Sequence, residues 1–329
     1  MKKLALIGCG YWGKNYIRSI ENIPDLKLEY IQDLIQPKSI PENIKFTKDL
    51  SQILKDDKIE GVIIATPPET HYDIALKSIN AGKNVLVEKP ITMNLKDAEN
   101  LCEEAQRKKV VLMVGHIFKY NNAIRDIKKR LDGGDIGEIK YIESRRIALG
   151  PIRQSTSALW DLAVHDVYIA EYFIGKKPFS VSCIGESHNK KIDDIVSINL
   201  RFPEDILTTI YANWEHPIKE RKIIIGGTKK AILFDDIEPT DKVTIYDRGV
   251  DYNPRTGDFG EFQAITRTGD TLIPKLKLNQ PLEEELIHFS KCIDGEKCFT
   301  DGYEGLETVK ILETAEESRK KGGLEIKIK

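Results

Sequence analysis

The chain has 329 residues, with 50 Lys and Arg set against 52 Asp and Glu, a formal net charge of −2 and a 40% hydrophobic fraction. That balance excludes the basic footprint of a nucleic-acid or anionic-membrane binder, and the apolar material suffices for about two packed domains. The five cysteines form no CxxC pair and the six histidines show no metal-ligand spacing. Neither a disulfide framework nor a metal site is therefore expected, and the setting implied is reducing and cytoplasmic.

The chain opens MKKLALIGCG. Two lysines, an apolar run and a cysteine imitate an export signal, but such a signal needs an apolar segment of roughly 7–15 residues. No run along the chain approaches the ~18 apolar residues of a membrane span. Residues 3–8 are better read as a short buried strand, followed at once by Gly8-Cys9-Gly10-Tyr11-Trp12-Gly13 and then a helix over 14–20. In this GxGxxG pattern one glycine permits a tight turn, one lets the backbone approach a pyrophosphate, and one lets helix and strand pack closely. The helix N-terminus offers unpaired N–H groups to the phosphates.

A second strand over 26–32 ends in Asp33, about twenty residues beyond the glycines, where an acid can accept hydrogen bonds from the ribose of NAD. A carboxylate there repels the 2′-phosphate of NADP, so NAD is expected over NADP. Residues 61–66 form an apolar strand that breaks at Thr66-Pro67-Pro68, with His71 opening the next helix. The stretch NVLVEKPIT follows, a buried strand running into Glu88, Lys89 and Pro90; a helix over 95–109 and a strand over 110–115 complete the alternation. This is the pattern of a doubly wound parallel sheet, whose ligands bind beyond the carboxyl ends of the strands. Lys89 could be a lysine merely snorkelling to water, but its place on the same rim as the glycine turn points to the nicotinamide end of the cofactor.

From residue 120 the pattern changes. A helix over 123–131 and a strand over 138–148 lead to a polar loop and a helix starting near Ala158. Strand-like runs follow at 179–187, 194–202, 206–214, 221–226 and 230–235, without helices between them. They predict a largely antiparallel, open sheet in a separate α+β domain. Residues 249–270 read as a long loop or lid, and helices over 281–294 and 303–320 close the chain. The division expected is a dinucleotide-binding domain at 1–119 and a substrate and assembly domain at 120–329. Asp161 and His165, four apart in LWDLAVHD, share a helix face, where the acid can orient the imidazole as a general base; a purely structural Asp–His pair would have the same spacing. Arginine suits phosphate and carboxylate, but adjacent strand residues face opposite ways, so at most one of Arg145 and Arg146 can line a site.

Taken together, GCGYWG, Asp33, ATPPETH, VEKP and WDLAVHD resemble the glucose–fructose oxidoreductase, inositol dehydrogenase and MocA-type oxidoreductases, in order and over nearly the whole chain. The resemblance implies a Rossmann domain and a second domain whose open sheet builds a homodimer or homotetramer. It implies NAD contacts at Gly8, Gly10, Tyr11, Trp12, Gly13, Asp33, Thr66, Pro67, His71, Glu88 and Lys89. Lys89 and His165 would flank the reacting carbon, with Asp161 as helper, and Tyr120, Asn121, Arg146, Arg153 and Trp160 would touch the substrate. In GHIFKYN, Lys119 departs from the family's arginine. The tail from Gln280 resembles members that act on nucleotide sugars, so oxidation at C3 of a UDP-N-acetylhexosamine or its uronate is expected. Inositol or a free sugar is the alternative substrate. A non-catalytic NAD-binding regulator is the other class, and it has no reason to keep both Lys89 and His165.

Overall fold

The computed structural model describes residues 1–150, 155–188, 192–253 and 263–329. They form two compact units, Met1–Tyr120 with Asn279–Glu313, and Asn121–Leu278 with Thr314–Lys329.

The first unit runs β1 (Lys2–Ile7), α1 (Gly13–Glu21), β2 (Leu26–Gln32), β3 (Lys45–Thr47), α2 (Leu50–Leu54), β4 (Gly61–Ile64), α3 (His71–Asn80), β5 (Asn84–Glu88), α4 (Leu95–Lys108) and β6 (Leu112–Gly115). Its six strands are ordered β3-β2-β1-β4-β5-β6, and each pairs in parallel with its neighbours. This is the doubly wound sheet the alternation predicted. β4 and β6 are buried along their whole length, as required where helices cover both faces. Asn94 caps helix α4, its side chain accepting from the Asp97 N–H at 2.9 Å.

The second unit begins with α5 (Asn122–Asp132) and β7 (Ile139–Leu149), then a π-helical turn over Leu159–Ala163 that continues as α6 (Val164–Ile174). Strands β8 (Ser180–Glu186), β9 (Ile195–Arg201), β10 (Leu207–Asn213), β11 (Glu215–Gly227), β12 (Ala231–Asp235), β13 (Val243–Asn253) and β14 (Gln263–Leu272) follow. Helices α7 (Pro281–Ile293) and α8 (Gly302–Lys320) and the short strand β15 (Ile326–Lys327) end the chain. The nine-stranded sheet is ordered β14-β13-β12-β11-β7-β10-β9-β8-β15 and is antiparallel except where β10 lies parallel to β7. Alternation buries one face: Ile142, Ser144 and Arg146 of β7 point inward with Ile198 and Ile210, beneath Val167 and Phe173 of α6.

Two sequence expectations need correction. Residues 249–253 and 263–270, expected in a loop or lid, belong to β13 and β14, which pair with each other from Ile245–Leu272 out to Asn253–Gln263. Their charged and glycine-rich composition hid the ladder, because a paired backbone needs no apolar face to be extended. Residues 279–313 also return to the first unit: Leu282, Leu286 and Phe289 of α7 join the core cluster of Leu4, Ile63, Leu86 and Met113.

Candidate active site

The rim of the first unit is built from three strand ends. After β1, Gly8 has φ +91°, and its N–H donates to the Gln32 carbonyl at 2.8 Å. A Cβ on Gly13 would sit 2.2 Å from the Gly8 carbonyl oxygen, so close packing of turn and helix demands glycine there. A Cβ on Gly10 would meet nothing within 4 Å, so at that position the turn lies open to an approaching group. No side chain caps the N-terminus of α1. Asp33 is clamped by two backbone donors, Cys9 N–H to Oδ2 at 2.7 Å and Ile35 N–H to Oδ1 at 3.1 Å. These residues fit a dinucleotide: open backbone for a pyrophosphate, and a fixed carboxylate for a diol.

Glu88, the acid of the EKP sequence, ties that turn to the next strand end. Its Oε1 accepts from the Trp12 indole N–H and from the Tyr16 hydroxyl at 2.7 Å, while Oε2 takes the Lys89 N–H at 3.3 Å. Gly115 of β6 leaves the room, since a Cβ there would lie 3.3 Å from the carboxyl carbon. Burial raises the Glu88 pKa against the pull of these donors. The half-exposed Lys89 follows directly, so Glu88 places it one residue from an anchor shared with the glycine turn. Tyr11 stands 84% exposed on the turn.

Thr66 and Pro67 end β4. Thr66 Oγ1 accepts from the Thr70 hydroxyl at 2.7 Å, and Pro67 is exposed. His71 was expected to touch the cofactor, but it is fully buried and bonded by Nδ1 to Pro90 O at 2.8 Å and by Nε2 to Thr66 O at 2.9 Å. Burial lowers its pKa, and the ring, set between two carbonyl oxygens, ties the two rim loops together. Beneath the rim, Glu285 of α7 is also fully buried, and neither carboxyl oxygen has a hydrogen-bond partner among the described residues. Burial first, and the nearby Glu88 second, raise its pKa well above the carboxylate range.

In the second unit, the expected acid and base fall on the π-helical turn and the start of α6. Asp161 lies within the π turn and His165 just after it, so the four-residue spacing no longer measures one α-helical turn. Such turns concentrate at functional positions. His165 Nδ1 meets the Tyr168 hydroxyl at 3.1 Å. That partner carries no sequence motif.

Four expected substrate contacts have other occupations. Arg146 is buried on Asp166 through two bonds of 2.8 and 3.0 Å, a fork matched to a carboxylate. Trp160 is 5% exposed and donates its indole N–H to Glu316 at 3.2 Å. Tyr120 is 1% exposed, with its hydroxyl on His288 Nδ1 at 2.8 Å and Thr300 Oγ1 at 3.1 Å. Asn121 caps α5, accepting from the Ala123 N–H at 2.9 Å. Polar type alone could not distinguish such internal partners from a ligand. Arg145 faces the opposite side from Arg146, as the alternation predicted, and donates to Glu220 at 3.0 Å. Arg153 lies outside the described residues. A charged group the sequence reading missed is His188, whose Nδ1 lies 2.8 Å from Asp194 Oδ1 and 3.7 Å from Glu215 Oε2. The hydrogen bond to Asp194 raises its pKa, which fits an ion pair.

Among the described residues no helix is long and apolar enough to cross a membrane. The family profile "Oxidoreductase family, NAD-binding Rossmann fold" matches residues 2–116, and "GFO/IDH/MocA C-terminal domain" matches residues 124–233. The scyllo-inositol 2-dehydrogenase (NAD(+)) of Bacillus subtilis is 30% identical over 198 residues, 57% of this chain and 58% of that protein. The myo-inositol 2-dehydrogenase of Thermotoga maritima is 26% identical over 265 residues, 75% of this chain and 79% of that protein. Among solved structures, an oxidoreductase domain protein from Kribbella flavida superposes with a TM-score of 0.82 at 19% identity over 100% of both chains, a likeness of fold. With an NAD-binding unit, a mixed-sheet second unit and both profiles matched in order, the chain belongs to the GFO/IDH/MocA oxidoreductase family.

Proposed function

We propose that the protein is an NAD-dependent dehydrogenase that oxidises a ring hydroxyl of a cyclic polyol or sugar to a ketone. The observation that carries this reading is the Glu88 anchor, which fixes Lys89 beside the glycine turn. NAD, when bound, supplies the hydride acceptor. The turn around Gly10 and the N-terminus of α1 receive its pyrophosphate, and Asp33 accepts from its ribose hydroxyls. Lys89 hydrogen-bonds the reacting oxygen, and His165 takes the hydroxyl proton. For that task Nδ1–H donates to Tyr168, which leaves Nε2 as the accepting nitrogen, and Asp161 stabilises the charge that develops.

The nucleotide-sugar reading rests on the tail. In the structure that segment supplies core residues, Leu286 and Phe289 among them, and Arg145 and Arg146 are paired with carboxylates. Both facts favour an uncharged polyol over a substrate with a diphosphate. Assembly through the open sheet face belongs to the same reading, because Tyr141, Ile184 and Leu207 stand 40–60% exposed on it; light scattering of the purified chain would then give a dimer or tetramer.

The test is NADH formation from NAD with inositols, free hexoses and UDP-N-acetylglucosamine as separate substrates. A cyclitol or free sugar is expected to turn over, and Lys89→Ala and His165→Asn should each lose about 10²–10⁴-fold in kcat while still binding NAD. Near-normal turnover in either variant sinks the mechanism. Turnover of the UDP-sugar alone restores the nucleotide-sugar reading, and NAD binding without any turnover points to a regulator.

A further inference from the structure

The π-helical turn of the second unit holds one residue more than an α-helix would: the Val164 N–H reaches back five residues, to the Leu159 carbonyl. Turns of this kind are rare and are found mostly where function needs them. A chain of side chains from elsewhere in the same unit grips this one at two points. The buried Trp160 donates its indole N–H to Glu316 Oε2 of α8 at 3.2 Å. Glu316 Oε1 accepts from Arg319 Nη2, also at 3.2 Å. Arg319 Nε stands 2.8 Å from Asp193 Oδ2, and Nη1 donates to Oδ1 at 3.4 Å. The Asp193 carbonyl closes the ring by accepting the N–H of Ala158, the residue before the turn, at 2.8 Å.

We propose that Glu316 is a positioning residue for the candidate acid–base pair: through Trp160 it holds the extra residue of the turn in place, and so fixes the direction of Asp161 relative to His165. The inference rests on the reading that those two groups serve the reaction. Each α-helical residue turns the chain by about 100°. If the turn relaxed to an α-helix, the residues before Val164 would slip by one position, and Asp161 would swing around the axis by about that angle. His165 would stay, because it follows the turn: Tyr168 meets its Nδ1 at 3.1 Å, and the neighbouring Asp166 is forked to Arg146.

The two members of the pair are therefore placed by different elements. Strand β7 sets the imidazole through Arg146, and α8 sets the carboxylate through Glu316. Trp160 directly precedes Asp161, so its indole bond acts on the turn at the point where the carboxylate leaves it. Arg319 occupies the second oxygen of Glu316 and thereby aims the first at the indole.

Glu316→Leu removes the acceptor, Glu316→Gln keeps a carbonyl oxygen for the indole, and Trp160→Phe keeps an aromatic ring without the N–H. Each is made in the full-length protein and assayed with whichever inositol, hexose or UDP-sugar the wild type oxidises. Glu316→Leu and Trp160→Phe should each lose roughly 10–100-fold in kcat with KM for NAD unchanged, and Glu316→Gln should recover most of that loss. A crystal structure of either deficient variant should show the Val164 N–H moved to the Trp160 carbonyl, four residues back. The proposal is overturned if kcat stays normal, or if the five-residue bond persists while kcat falls. An equal fall in NAD affinity also overturns it, because the chain has then loosened as a whole. Should the wild type oxidise none of these substrates, the dehydrogenase reading fails by itself and the crystal structures decide whether Glu316 holds the turn. Trp160→Phe gives the answer where Glu316→Leu does not fold.

Discussion

The glycine turn of the first unit and the π-helical turn of the second show two ways of making a site. In the first, recognition is written in backbone: Gly8 and Gly13 allow a turn that a Cβ would obstruct, Glu88 holds that turn through Trp12, and His71 ties the neighbouring rim loops together. In the second, the candidate base stands on a helix whose position depends on buried side chains, above all the Arg146–Asp166 fork beside His165. The comparison teaches that a site made of backbone leaves a mark in the sequence, while a site held by side-chain pairs leaves almost none.

The sharpest way to break the comparison is to remove one half of the fork. Arg146→Met should strand the buried Asp166 and cost about 3–5 kcal/mol, read from urea unfolding of the second unit. The double variant Arg146→Met/Asp166→Leu should recover most of that loss. If the single variant is neutral, the fork does not hold α6.

Next in size, Gly13→Ala must push its new methyl into the Gly8 carbonyl. Overpacking of this kind costs about 1–3 kcal/mol, so NAD should bind roughly 5–150-fold more weakly at 1.4 kcal/mol per decade. Calorimetric titration checks this, and unchanged affinity would mean the turn adapts.

Third is the buried Glu285. Its raised folded-state pKa means the folded chain keeps a proton that the unfolded chain gives up above its ordinary value of 4.5. Stability from this group is complete below that pH and is lost as pH rises, by up to about 1.4 kcal/mol per pH unit. His71, with its lowered pKa, works the other way: acid destabilises once the unfolded ring begins to protonate. Glu285→Gln should therefore flatten the decline of Tm on the alkaline side and leave the acid side unchanged. An unaltered profile would mean the carboxyl has found partners.

The smallest effect is expected from Trp12→Phe, which keeps the ring and deletes the bond to Glu88. A loss of about 1 kcal/mol corresponds to an NAD affinity roughly fivefold weaker.

These contrasts also explain what was legible. The parallel sheet, the glycine turn, Asp33 and the strand-end Lys89 could be read because periodicity and glycine spacing report backbone demands directly. The open antiparallel sheet was readable from its apolar alternation as far as β12, and not beyond, where β13 and β14 pair through polar residues. Arg146, Trp160 and Tyr120 carry the right chemistry for a ligand, but their partners Asp166, Glu316 and His288 lie at distances along the chain that no local pattern encodes; Asn121 is instead a local helix cap, bonded to Ala123 two residues on. Tyr168, three residues after His165, was missed because the sequence reading paired the imidazole with Asp161 instead.

The return of α7 has a consequence for how the protein is made. Phe289 packs against Gly61 of β4, and Leu282 and Leu286 fill the same core. A ribosome releasing the chain from its N-terminus therefore exposes six parallel strands long before the helix that seals them has been translated. During that interval an apolar surface stands open to chaperones and to other nascent chains. Translation must pass residue 289 before the nucleotide-binding unit can close, so a stalled or truncated product would carry every glycine of the turn and still lack a finished core.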